Sequence, residues 1–295
     1  MAIKPYLILM RPANLVTAVA DILAGASIAG LTLATFQSAE VINIIYLMLA
    51  TIGLYGGGVV FNDVFDYELD KVERPERPLP SGQVSRTSAT IQALVLYIIG
   101  IVLASLVSPV SGLIAVVTAI GATVYDKWAK HHTFFGPVVM GTCRGLNLLL
   151  GVSISLPVLY TMWPIAILPI IFIGAITLTS QGEVVGNNRK AVALAMSLDA
   201  VVVILLAGLA VYGYINWMTL IPFVTLWWGM NLFAKIKAYK VNEPKFIMKA
   251  VKMGVLSLIP LNACYAAGFS SWQLAVAILC LLPISLFLSK YFAVT

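Results

Sequence analysis

Charge is what this sequence has least of. Its 295 residues carry only 18 Lys and Arg and 12 Asp and Glu, 10% of the chain. Soluble domains are ~25% charged, so a water-facing surface cannot be built from these side chains. Cysteine is almost as scarce: Cys143, Cys264 and Cys280 are odd in number and all lie inside apolar runs. That excludes a disulfide framework and a paired-cysteine zinc site. The two histidines, His131 and His132, are adjacent and cannot share a helical face, which argues against a histidine metal site. Phosphate-loop, HExxH, nucleophile-elbow and dinucleotide-binding motifs are missing, as is the DG and AR signature of membrane alcohol phosphotransferases.

What is there is apolar: 61% of the chain, in long runs without period-two alternation. Lipid leaves only helices and closed barrels able to satisfy their own backbones, and the missing alternation excludes a barrel. The expected fold is an all-α polytopic transmembrane bundle in a single domain over 1–295. Runs of about 20 residues, enough for ~30 Å of hydrocarbon, predict ten spans near 13–34, 42–61, 88–107, 109–125, 136–156, 160–180, 191–213, 215–234, 247–268 and 271–292. The first reads as an uncleaved span because its apolar stretch is long and carries Asp21.

Short loops near 35–41, 108, 157–159, 214 and 269–270 alternate with long ones at 62–87, 126–135, 181–190 and 235–246. The short loops contain no Lys or Arg, and only Arg144 among the basic residues falls in the middle of a span, Lys249, Lys252 and Lys290 lying near long-loop ends. The positive-inside rule therefore puts the long loops and both termini in the cytoplasm. The net charge of +6 is then topogenic, with the Lys235–Lys252 cluster also near anionic headgroups, and nucleic acid is not implied as a partner.

Half of the acids crowd into FNDVFDYELDKVERPERPLPSG, directly after the second span. Intervals of three and four put Asp63, Asp66 and Asp70 on one face if that helix continues outward, with Asn62 one turn from Asp66. Three like charges so close repel unless cations sit among their oxygens, and hard oxygen ligands suit Mg²⁺, which commonly bridges to phosphate. Arg74 and Arg77 would then flank an anion. The alternative is a solvated loop balanced by its own bases. A second polar segment, TSQGEVVGNNRKA, follows 120 residues later from Asp63 to Glu183, with Glu183 and Asn187 one helical turn apart as candidate ligands of the same ions. Gly56, Gly57 and Gly58 read as a site of close helix packing.

NDVFDYELDKVERPERPLPSG resembles the first aspartate-rich motif of the UbiA superfamily of intramembrane prenyltransferases, and GEVVGNNRK stands in the place of the second. YDKWAK, CRGLNLLLG and the pair Arg11–Pro12 resemble further landmarks. GGGVVFNDVFD, KHHTFFGPVVMG and GEVVGNN are most similar to the EboC-like branch. The resemblance implies a helical bundle of about 9–10 spans around a lipid-accessible cavity. There Mg²⁺ and an isoprenyl diphosphate are held for transfer to a lipophilic or aromatic acceptor. It implies Asn62, Asp63, Asp66, Asp70, Glu183 and Asn187 as metal ligands, with Asp63, Asp66, Asp70 and Tyr125 catalytic, Tyr125 through its ring. Asn14, Arg74, Arg77, Lys127, Lys130, Arg144 and Lys190 are the implied diphosphate partners. Glu183 and Asn187 replace two aspartates of the usual pattern, and a tenth span exceeds the usual nine. A carrier that holds a prenyl lipid or lipid diphosphate without turnover is the alternative from another class. Arg144 could instead pair with Asp21 or Asp199, since charge in a span requires a polar partner.

Overall fold

The computed structural model describes residues 3–32, 38–181 and 186–292, and these contain helices and no strands. The helices are α1 (Ile3–Leu9), α2 (Pro12–Ile28), α3 (Ser38–Phe65), α4 (Tyr67–Glu73), α5 (Arg86–Val107), α6 (Pro109–Lys127), α7 (Phe135–Val152), α8 (Leu156–Met162) and α9 (Ile167–Ser180). They continue as α10 (Arg189–Val211), α11 (Trp217–Val241), α12 (Pro244–Leu256), α13 (Leu258–Phe269), α14 (Trp272–Leu279) and α15 (Leu281–Leu288).

Neighbours in the chain pack side by side, and the sequence α2, α3, α5, α6, α7, α9, α10, α11, α13 closes back on α2 as a ring; α2 also crosses to α7. Such contact without water needs close backbones. Gly53 and Gly57 supply it on α3: a Cβ on Gly57 would lie 2.6 Å from the Tyr97 ring of α5, and one on Gly53 2.6 Å from the Leu96 carbonyl oxygen. The glycine-rich stretch is thus the seam between α3 and α5. Phe172, Trp227, Ile259 and Tyr265 lie fully or almost fully buried in the largest core cluster, which joins the second half of the chain to α2. The outside is apolar too, with Ile91, Ile98, Val102 and Leu106 exposed along α5, as a lipid-facing helix requires. Tyr160, Trp163, Tyr212, Tyr214, Trp217 and Trp272 stand exposed at the short-loop ends, where amphipathic rings mark a membrane–water boundary.

All ten expected spans coincide with helices, and eight have the length and composition to cross a membrane. Pro12–Ile28 qualifies only together with α1, across a 54° bend, and Trp272–Leu288 is shorter than a full span. The expected turn at 157–159 lies inside α8: the break falls at Ser153–Ser155, because Pro157 suits the first turn of a helix. Helix α11 also outruns its expected end at 234 and carries Lys235 into the bundle, where it is buried against Asp199 at 2.6 Å. Lys235 is therefore a buried ion-pair partner and no part of a headgroup-facing cluster.

Candidate active site

The acidic face forms because α3 barely stops. Asp66 N–H donates to the Asn62 carbonyl and Asp70 N–H to the Asp66 carbonyl, so helical bonding carries through the kink at Asp66 into α4. Asp63 and Asp70 then share one guanidinium. Arg77 Nη1 lies 2.8 Å from Asp70 Oδ2 and 3.4 Å from Asp63 Oδ1. The loop that returns Arg77 is stiffened by Pro75 and Pro78, with Pro78 and Leu79 buried.

One turn round, two contacts join the exits of α3 and α6. Asn62 Nδ2 donates to Asp126 Oδ1 at 2.9 Å, and Lys130 Nζ bonds Asp66 Oδ1. Asn62 and Asp66 are four apart and joined by a helical backbone bond, whereas Lys130 stands beyond the end of α6, in the 3-10 turn Ala129–His131 that follows Trp128. Asp126 is buried and is not among the residues that the sequence singles out. The available signal was its interval of four to Lys130 at the exit of a span.

Arg11 was likewise read only as part of a landmark. Its Nη2 lies 2.7 Å from Asp63 Oδ1. The residue sits at the α1–α2 bend with φ 48° and ψ 67°, where Pro12 disfavours the right-handed helical conformation before it. A left-handed backbone costs an L-residue roughly 1–2 kcal/mol, which the charge-assisted bond to a nearly buried carboxylate offsets.

The remaining candidates spread out. Tyr125 is half-buried beside Asp126, whereas Lys127, Arg74 and Lys190 are exposed. Asn14 is buried on α2. Arg144 is buried against Asp21: Nε lies 2.6 Å from Oδ2, and Nη2 donates to the Thr17 carbonyl at 2.6 Å. Asn147 donates to Asp21 Oδ2 at 2.8 Å, and Asn262 to Oδ1 at 2.6 Å. Asn187, exposed with φ 55°, accepts from Asn242 at 3.2 Å beside α11. Glu183 lies outside the described residues, so its approach to Asp66 is not part of this geometry. On the outer face of α4, Lys71 donates to Glu68 at 3.1 Å, which pushes the ammonium pKa up.

Among the described residues no three Asp, Glu, His or Cys side chains form a metal cage by themselves. That suits Mg²⁺, which binds through one or two carboxylates, water and a substrate's phosphates rather than through an all-protein cage. Four carboxylates, of Asp63, Asp66, Asp70 and Asp126, face three cations, of Arg11, Arg77 and Lys130. The donor set is hard oxygen throughout, so its chemistry fits the expected ion.

A profile of the UbiA prenyltransferase family matches residues 23–253. Over 151 residues the chain is 35% identical to a digeranylgeranylglyceryl phosphate synthase from Saccharolobus solfataricus, covering 51% of this chain and 52% of that protein. The chain thus spans about half the length of the curated relatives it matches. Its fold is similar to that of a UbiA homologue from Aeropyrum pernix, with a TM-score of 0.67 at 16% identity over 85% of this chain and 96% of the other. A UbiA homologue from Archaeoglobus fulgidus, bound to GPP and Mg²⁺, matches with a TM-score of 0.63 at 13% identity over 94% of this chain and 99% of the other.

Proposed function

The chain belongs to the UbiA prenyltransferase family, and on that premise we propose that it is a Mg²⁺-dependent intramembrane prenyltransferase. It transfers an isoprenyl group from an isoprenyl diphosphate to a lipophilic acceptor. The observation that carries this reading is the interleaving of Arg11, Arg77 and Lys130 with Asp63, Asp66 and Asp70 at one end of the bundle. A diphosphate with its metal also presents both signs of charge. The carboxylates can exchange their present partners for metal, and the guanidinium and ammonium groups theirs for phosphate oxygens.

The proposed metal ligands are Asn62, Asp63, Asp66 and Asp70, with Glu183 and Asn187 of the second segment. Arg11, Arg77 and Lys130 hold the diphosphate, and the exposed Arg74, Lys127 and Lys190 guide it in. Bound Mg²⁺ would supply Lewis-acid stabilisation of the leaving diphosphate. In the transfer the allylic C1–O bond breaks, its electron pair leaves with pyrophosphate, C1 bonds to the acceptor nucleophile, and the acceptor gives up a proton. Tyr125 lends ring electrons to the transient allylic cation. The apolar bundle below excludes water from it. The positive-inside rule assigns this face, and both termini, to the cytoplasm.

The Archaeoglobus fulgidus homologue bound to GPP and Mg²⁺ supports the donor class. The name of the Saccharolobus relative makes a prenylated glyceryl phosphate an acceptor to try beside aromatic ones. The test is the purified chain in vesicles with geranyl or geranylgeranyl diphosphate, with and without Mg²⁺. Mg²⁺-dependent pyrophosphate release with a prenylated product is expected. Tight Mg²⁺-dependent binding without release would make the chain a carrier, and absence of binding would remove the reading.

A further inference from the structure

Helix α11 borders two lipid-facing grooves of opposite character. Between α10 and α11, near the short-loop end, a groove of about 350 Å³ is lined by Val203, Leu206, Ala210, Leu220 and their neighbours, with no ionisable group. Between α11 and α12, a larger groove of about 560 Å³ is lined by Leu226, Met230, Phe233, Phe246 and Met253, and also by Lys237 and Lys249. Among the described residues neither lysine has a carboxylate within ion-pair distance. Lys237 Nζ lies 4.9 Å over the Phe246 ring.

The charge near this groove is one-sided. Lys237, Lys240, Lys245, Lys249 and Lys252 face a single acid, Glu243, over that stretch. On α12 the intervals of four and three put Lys245, Lys249 and Lys252 on one exposed face, opposite the buried Ile247, Ala250, Val251 and Gly254. At ~1.5 Å per residue, that row descends about 10 Å along a helix which continues into a candidate span. Cations at such depth in hydrocarbon are costly unless they snorkel or meet an anion.

We propose that the α11–α12 groove binds one anionic phospholipid of the adjoining leaflet. Its phosphate lies between Lys237 and Lys249, and an acyl chain runs over Phe233, Met230 and Leu226. The cations select the headgroup and the apolar floor holds the chain, whereas the α10–α11 groove has the floor alone.

Native mass spectrometry of the full chain released from detergent, with equimolar phosphatidylglycerol and phosphatidylcholine, tests this. Each lysine contributes about a fivefold preference for the anionic lipid, so the pair gives roughly 25-fold. The expected result is one retained phosphatidylglycerol in the wild type, loss of the preference in Lys237→Gln/Lys249→Gln, and its recovery in Lys237→Arg/Lys249→Arg. Equal retention of both lipids by the wild type would overturn the proposal, and so would an undiminished preference in the Gln pair. Displacement by millimolar inorganic phosphate would make this a phosphate site, and a lipid-free dimer dispersed by the Gln pair would give the groove to a second copy; either result refutes the lipid. If the Gln pair fails to fold, the wild-type competition and the Arg pair still decide.

Discussion

Removing the guanidinium of Arg144 should destabilise the bundle far more than removing any single amide around it. Asp21 is 2% exposed and Arg144 6%, and the carboxylate is ion-paired with Arg144 and accepts from Asn147 and Asn262. Hydrogen bonds between membrane helices average ~0.6 kcal/mol in double-mutant cycles, so Asn147→Ala or Asn262→Ala should each cost about that. Arg144→Met instead leaves the Asp21 charge buried without its counter-ion, at about 3–5 kcal/mol. Asp21→Asn/Arg144→Met removes both charges and should recover most of the loss, leaving a coupling of about 2 kcal/mol or more. The chain carries its own reporters, since Cys264 is buried and Cys143 half-buried. Heating in detergent with a thiol-reactive dye, on a Cys280→Ser background that silences the exposed cysteine, ranks the variants by midpoint. If Arg144→Met and the double variant melt together, or if Arg144→Met keeps its midpoint and loses only donor binding, the ion pair is not what holds α2 to α7 and α13.

The acidic face gives a second expectation: Asp63→Ala or Asp66→Ala should abolish Mg²⁺-dependent donor binding, read by titrating donor against Mg²⁺. Asn187→Ala should be milder, because its side chain is exposed and engaged with Asn242. Asn187→Asp preserves that acceptor and tolerates the left-handed backbone, and it should raise apparent Mg²⁺ affinity; unchanged affinity would sever Asn187 from the metal. At the α3–α5 seam, Gly57→Leu drives a side chain into Tyr97 and the Ala93 carbonyl. It should cost about 1–3 kcal/mol, and a thermal midpoint equal to wild type would show that the seam yields. A reporter active only outside the cytoplasm should be silent when fused after Thr295 and active when inserted near Tyr214; the reverse pattern would invert the assigned orientation.

The spans were legible because hydropathy reports them directly, and the spacing of Asp63, Asp66 and Asp70 was legible because a helix repeats. Their partners were not. Arg11 is 52 residues from Asp63, and Lys130 is 64 from Asp66. Local pattern carries nothing about which helix ends meet. The turn at 157–159 is misplaced for another reason, since proline reads equally as a break or as the first turn of a helix, and Pro157 here takes the second role.

The charges within the bundle show where inference from the chain alone runs out. Asp21, Asp199 and Arg144 all fall in apolar runs, and electrostatics demands that a buried charge be paired. That leaves Arg144 two acids to choose from while Lys235 is counted among the loop cations. Topology removes the choice. Helices α10 and α11 are consecutive and pack together, which sets Asp199 against Lys235. Helix α7 lies against α2, which gives Arg144 to Asp21. Once α11 is seen to run on past residue 234, the four charges resolve into two pairs, one in each half. The basic residues left unpaired within the described chain then lie toward the long-loop end, where the proposed diphosphate and the anionic lipid would meet them.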